Sequence, residues 1–192
     1  MSGVIFSIPA SASGFGIKTN LLYDATTTPN IGAEISLGGK STFNIVYGLN
    51  PWKFKSDRHG DRYVKHWLLM PEYRWWACSR LNGHFIGVHA LGGQLNASNI
   101  DLPAPGVFFS GPKLNKIGAD SRYQGWYTGG GFTYGYQYPL SDHWNLEAEI
   151  GVGYAHMWYD QYPCSECGTK IGKGHANYAG LTKLGFSIMY VF

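Results

Sequence analysis

The sequence predicts an all-β fold: an eight-stranded antiparallel transmembrane β-barrel with tight periplasmic turns at one end and long extracellular loops at the other. Three observations carry that expectation. Apolar and polar side chains alternate with period 2 in segments of about ten residues, the sorting of a strand with two unlike faces. The connections between segments alternate between tight and long. The composition is 16% aromatic and only 14% charged, where a soluble domain is about a quarter charged.

The same figures exclude other classes. So many aromatic residues do not suit a disordered chain, and no run of about 18 uncharged apolar residues offers a transmembrane helix. A net charge of +3 implies no nucleic-acid partner without a localised patch. A length of 192 residues suits one domain. Residues 1–14 are expected to be the remnant of a signal peptide or a flexible N-terminal tail, since Ala10-Ser11-Ala12 has the small-x-small form of a cleavage site. Residues 15–192 are expected to form the barrel.

In chain order, the first strand sets Ile17, Thr19, Leu21 and Tyr23 against Lys18, Asn20, Leu22 and Asp24. The second sets Ile31, Ala33, Ile35 and Leu37 against Gly32, Glu34, Ser36 and Gly38, and the third Phe43, Ile45, Tyr47 and Leu49 against Asn44, Val46, Gly48 and Asn50. Trp67, Leu69, Pro71, Tyr73 and Trp75 oppose His66, Leu68, Met70, Glu72, Arg74 and Trp76 in the fourth. The fifth, from His84 to Gly93, is the least regular and is read with Ile86, Val88 and Ala90 against Phe85, Gly87 and His89. Phe132, Tyr134, Tyr136 and Tyr138 define the sixth, and Trp144, Leu146, Ala148, Ile150, Val152 and Tyr154 the seventh, the latter opposed by Glu147 and Glu149 among others. The last sets Thr182, Leu184, Phe186, Ile188, Tyr190 and Phe192 against Lys183, Gly185, Ser187, Met189 and Val191.

Tight turns at Gly38 to Ser41, Ser79 to Gly83 and Leu140 to His143 join strands on one side. On the other, the connections 52–65, 97–124 and 159–177 are long, and 25–30 is short. A soluble eight-stranded barrel would fill its interior with the apolar set, but Trp, Tyr, Phe and Leu on nearly every strand are too large for that space. The expectation is therefore an apolar face toward lipid, with Tyr23, Trp52, Trp67, Trp75, Trp126, Tyr138, Trp144, Trp158 and Tyr190 in interfacial girdles. The final strand, with Phe186, Ile188, Tyr190 and a terminal Phe192, resembles the recognition signal of the outer-membrane insertion machinery.

The inward set places Lys18, Glu34, Glu72, Arg74, Glu147, Glu149 and Lys183 in the lumen, with His89 beside them. Eight strands leave little room, so these charges must pair. A proton or ion path is the alternative use of such carboxylates, and it needs an open lumen. Cys164 and Cys167, flanked by Pro163 and Gly168, are expected to form a local disulfide. A zinc site would need two further ligands, for which His175, His156 and Asp160 are the weak candidates, and Cys78 is expected unpaired. The segment 52–65 carries Lys53, Lys55, Arg58, Arg62 and Lys65 against Asp57 and Asp61, a patch able to meet lipopolysaccharide phosphates.

The run from Ile17 to Glu34, the Asn50-Pro51-Trp52 corner, Lys65-His66-Trp67-Leu68, the run from Asn82 to Gly93 and the Cys-x-x-Cys region together resemble the outer-membrane β-barrel family known only as a domain of unknown function, number 3575. The resemblance extends from about Gly16 to Phe192. It implies a small OmpA- or OmpX-like barrel of Gram-negative anaerobes, whose members are sometimes encoded near fimbrial genes, and it brings no catalytic residues. The expected function is non-enzymatic: a structural or adhesive outer-membrane protein, without cofactor, presenting loops to pilus subunits, lipopolysaccharide or other envelope proteins. A lipid A-modifying enzyme and a narrow channel are the alternatives. The first needs a nucleophile beside a His and a carboxylate, and His156 has no Ser beside it on its strand.

Overall fold

A computed structural model of the chain describes residues 14–54, 62–101, 105–110, 116–163 and 169–192. They form one antiparallel sheet of ten strands: β1 Phe15–Asn20, β2 Asn30–Gly38, β3 Ser41–Asn50, β4 Lys53–Phe54, β5 Arg62–Trp76, β6 Gly83–Asp101, β7 Gly106–Ser110, β8 Lys116–Pro139, β9 Trp144–Tyr162 and β10 Gly172–Val191, with a single short helix, α1 Leu21–Ala25. Each of β1, β2, β3, β5, β6, β8, β9 and β10 pairs with the next, and β10 returns to pair with β1 from Gly16↔Val191 to Asn20↔Ser187. The sheet thus closes into a ring of eight strands, which removes the free edges an open sheet must manage.

The alternation sorts side chains by face as the period requires. Lys18, Glu34, Asn44, Glu72, Arg74, His89, Thr133, Gln137, Glu147, Glu149 and Lys183 are all buried. Their outward neighbours are not: Phe132 is 71% exposed and Ile86 59%. In β6 the assignment of Phe85, Gly87 and His89 to one face and Ile86, Val88 and Ala90 to the other is the one observed.

Tight turns close one end. Gly38 and Gly39 both have positive φ, at 99° and 57°, a conformation open to glycine without Cβ strain. Leu140 and Ser141 N–H both donate to the Trp144 carbonyl, and Ser141 Oγ accepts from Trp144 N–H. At Pro71 the β5–β6 register skips from Leu69↔Gly92 to Glu72↔His89, because proline has no N–H to give the ladder.

Four expectations need correction. First, the strand expected from Ile17 to Tyr23 ends at Asn20 and becomes α1. Asn20 Oδ1 accepts from Leu22 N–H at 3.1 Å and Phe186 N–H at 3.2 Å, while its Nδ2 donates to the Leu184 carbonyl at 3.1 Å. The side chain thereby caps the helix and replaces a ladder bond to β10. Second, the connections expected as long loops are largely strand: β6 runs on to Asp101, β8 starts at Lys116, β9 reaches Tyr162 and β10 starts at Gly172.

Third, β4 and β7 add two strands to the eight expected. β7, in the connection between β6 and β8, lies on the edge of β10 that β1 leaves, pairing from Asn177↔Ser110 to Gly180↔Gly106. The approach is close: a Cβ on Gly180 would meet Gly106 Cα at 2.4 Å. Fourth, Thr182 was placed on the apolar face, but a register shift between Leu181 and Lys183 turns its hydroxyl to His89 Nε2 at 2.9 Å, as a bulge does.

Candidate functional site

The interior is stacked in layers. At the turn end Trp76, Leu81, Phe85, Met189 and Val191 form an apolar cluster. Above it lies a charged layer to which all eight ring strands contribute a buried polar side chain. A second apolar cluster, Val46, Met70 and Leu91, follows. Beyond it, inside the extended parts of β5, β6, β8, β9 and β10, Ala97, Ile117 and Ala176 are buried with Val64, Leu95, Phe108, Tyr123, Met157 and Tyr159 packed against them.

The charged layer brings together the seven residues Lys18, Glu34, Glu72, Arg74, Glu147, Glu149 and Lys183, with Arg74 as its hub. Arg74 Nε meets Glu72 Oε2 at 2.6 Å, and Nη1 meets Glu34 Oε2 at 2.8 Å and Glu147 Oε2 at 2.7 Å. Nη2 meets Glu149 Oε2 at 2.8 Å. The planar fork of a guanidinium is what allows one cation to serve four carboxylates. Lys18 bridges Glu34 and Glu147 at 3.2 and 2.7 Å, and Lys183 bridges Glu72 and Glu149 at 2.7 and 2.9 Å. The Phe85 ring lies under the guanidinium, 4.3 Å from Cζ to centroid.

Neutral groups complete the layer: the sequence reading sets His89 beside the charges and Asn44, Trp76 and Thr133 on the inward face, but leaves out Thr42 and puts Thr182 on the other face. Thr42 Oγ1 donates to Glu34 Oε1 at 2.6 Å and accepts from Trp76 Nε1 at 2.9 Å. Asn44 Nδ2 donates to Glu72 Oε2 at 3.2 Å. His89 is held between Thr133 Oγ1 at 2.8 Å and Thr182 Oγ1 at 2.9 Å. The signal for Thr42 and Asn44 was present in the alternation of β3, but short neutral side chains do not announce a role by type. Chemically the layer is a cross-brace: both sides of the ring are tied through Arg74, and the apolar clusters above and below shield it from water.

The outer surface changes character along the strands. Nearest the turns it is aliphatic and aromatic, with rows such as Tyr73–Val88–Phe132–Val152 and Trp75–Ile86–Tyr134–Ile150 paired across β5, β6, β8 and β9. Toward the far end it becomes polar, with Lys65–Asn96–Gln124–Asp160–Lys173 paired across β5, β6, β8, β9 and β10. Phe186 and Phe192 are exposed on the apolar side, and Phe192 stacks on Phe15 at 5.4 Å; Ile188 and Tyr190 are half-buried beside them.

Cys164 and Cys167 lie outside the described residues, as do residues 1–13 and residues 55–61 of the basic segment. Cys78 is exposed and free. Among the weak metal candidates, His175 stacks on His156 with centroids 5.7 Å apart. Asp160 is paired with Lys170 at 2.5 Å. Among the described residues no group of three or more His, Cys, Asp and Glu is placed to hold a metal ion. His156 Nδ1 is engaged by Asn177 Oδ1 at 2.5 Å, and its ring lies against Trp158.

The family model described as "Protein of unknown function (DUF3575)" matches residues 2–192. No curated protein and no solved structure matches the chain.

Proposed function

The chain belongs to the DUF3575 family, and on that premise we propose that it is an eight-stranded outer-membrane β-barrel, non-enzymatic, structural or adhesive, whose extended far end faces the cell exterior. One observation carries this reading: the polarity of the wall inverts along single strands. In the lower part of β8 and β9, Thr133, Gln137, Glu147 and Glu149 are buried while Phe132, Tyr134, Ile150 and Val152 are exposed. In the upper part of the same strands, Tyr123, Met157 and Tyr159 pack inside while Gln124 is exposed. A wall apolar outside at one level and polar outside at the next matches a lipid layer that ends partway up.

The dimensions agree. From the aromatic row at Tyr138 to the first polar residue above it, Thr128, ten residues of β8 span about 34 Å along the strand. At a tilt of about 40° that is about 26 Å along the axis, close to the roughly 25 Å apolar band of such proteins. Among the described residues no helix is long and apolar enough to cross a membrane; on this reading the strands do the crossing. The layered interior favours a plug over a channel. On this reading Phe186, Ile188, Tyr190 and Phe192 address the insertion machinery, and the far end meets lipopolysaccharide, pilus subunits or other envelope proteins. A Cys164–Cys167 disulfide belongs to the proposal, and intact mass before and after reduction checks it.

The test is cell fractionation with the unheated and boiled protein compared on a denaturing gel. The expected result is an outer-membrane protein whose unheated form migrates as a distinct compact band and gives no steady conductance in planar bilayers. Recovery in a soluble fraction overturns the membrane reading. A stable ion current overturns the plug.

A further inference from the structure

Above the apolar belt, Trp67, Gln94, Trp126 and Trp158 form one row across β5, β6, β8 and β9, and Trp67 packs edge-on against Trp126 at 5.7 Å. Trp126 and Trp158 are paired across β8 and β9, 54% and 53% exposed. Girdle residues border the apolar band directly, but the row beneath these indoles is already polar: Thr128, His156 and Asn177, paired across β8, β9 and β10. The row above is polar too, with Gln124, Asp160 and Lys173. The indoles therefore stand between two polar rows, one step outside the belt.

Together with Gln94, Gln124, Asp160 and Lys173 they line a groove of about 300 Å³, at the small end of the range for ligand sites. Its polar groups are largely unspent. Gln94 Oε1 accepts from Trp67 Nε1 at 3.1 Å, which fixes the amide and leaves its NH₂ as a donor. Neither the Gln124 amide nor the Lys173 ammonium makes a hydrogen bond or ion pair among the described residues. Asp160 is anchored by Lys170 and keeps acceptor capacity.

Flat aromatic faces beside amides, a carboxylate and an ammonium are what a sugar ring requires. Its C–H face meets the negative π face, and its hydroxyls need both donors and acceptors at the rim. We infer that this groove binds the saccharide headgroup of a glycolipid in the outer leaflet, one or two hexose units lying across Trp126 and Trp158. The groove faces sideways along the wall, just beyond the apolar belt, at the level where a neighbouring lipid carries its headgroup sugars. The inference takes that level from the membrane reading, whereas the chemistry of the groove stands without it.

The test uses the full chain refolded in detergent micelles, with folding checked by the unheated gel band. The probe is the lipid-free oligosaccharide released from lipopolysaccharide, followed by saturation-transfer NMR and titration calorimetry, with phosphatidylglycerol as the lipid comparison. The expected result is saturable oligosaccharide binding, weakened at least about tenfold by Trp158→Ala and about threefold by Gln124→Ala, and unchanged by Trp144→Ala at the turn end. Both groove positions face outward, so the variants keep the folded band. No oligosaccharide binding by folded protein overturns the inference, as does binding that Trp158→Ala leaves intact, or binding of phosphatidylglycerol alone. Failure to give the folded band at all counts against the membrane reading instead.

Discussion

Two levels of one wall obey opposite rules. In the lower ring Arg74 and Glu147 are completely buried and Phe132 stands outside; in the upper extension Ile117 is buried and Gln124 stands outside. The strands are continuous between the levels and the pleat does not change phase between Tyr123 and Gln137 of β8 or between Asn145 and Tyr159 of β9, where odd-numbered positions point inward. What changes is the chemistry assigned to each face. The difference teaches that the two levels are stabilised by different forces, a buried ion network below and apolar packing above; on the proposed membrane reading, burial follows the surrounding solvent.

Substitutions at the two levels should therefore separate. The largest effect is expected from Arg74→Leu, which strands four carboxylates with two lysines. Removing one partner of a buried ionic group costs about 3–5 kcal/mol, and urea titration of the folded gel band should show it. Arg74→Lys should recover only part, because an ammonium lacks the fork that reaches Glu34, Glu72, Glu147 and Glu149 together. Next comes a charge on the outer face: Ile150→Arg should cost about 2–4 kcal/mol in a bilayer, while Gln124→Arg stays within about 0.5 kcal/mol. Equal costs for these two would erase the comparison.

Ile117→Ala should cost about 2 kcal/mol, confined to the extension. The expected readout is faster hydrogen exchange in the upper parts of β6 and β8, with the lower ring unchanged. If exchange rises in both levels together, they form one cooperative unit. A more local effect is expected from Asn20→Ala, about 1–2 kcal/mol from lost bonds to Leu22, Leu184 and Phe186, seen as exchange at the top of β1.

The lower ring was legible because its contrast is strong. Glu147 and Glu149 between Leu146, Ala148 and Ile150 leave no doubt about which face is which, and the same holds for Glu72 and Arg74 in β5. The extension was not, because Trp126 outside alternates with Tyr123 and Tyr127 inside, and Trp158 with Met157 and Tyr159. Bulky residues on both faces flatten the period-2 signal, so these segments read as loops. α1 was hidden for another reason: Leu21 and Tyr23 continue the alternation of β1, and only the Asn20 side chain, by standing in for a backbone group, diverts the chain. β7 is five residues long and its partner on β10 lies about seventy positions away, a pairing that local pattern does not encode.

The seam between the first and last strands has a consequence for how the molecule is made. It holds five register pairs, Gly16↔Val191 to Asn20↔Ser187, where β8 and β9 share a ladder running from Arg122↔Tyr162 to Pro139↔Asn145. Every other neighbouring pair in the ring is joined by a nearby connection, so each hairpin can zip as soon as its residues are available. The seam must wait for β10, the last strand of the ring to be made, and must bring together residues about 170 positions apart. Until then β1 and β10 both present raw hydrogen-bonding edges to any passing strand. Closure is thus the pairing with the largest loop-closure cost in the ring, and the stage before it is the one at which the chain is most open to pairing with a foreign strand.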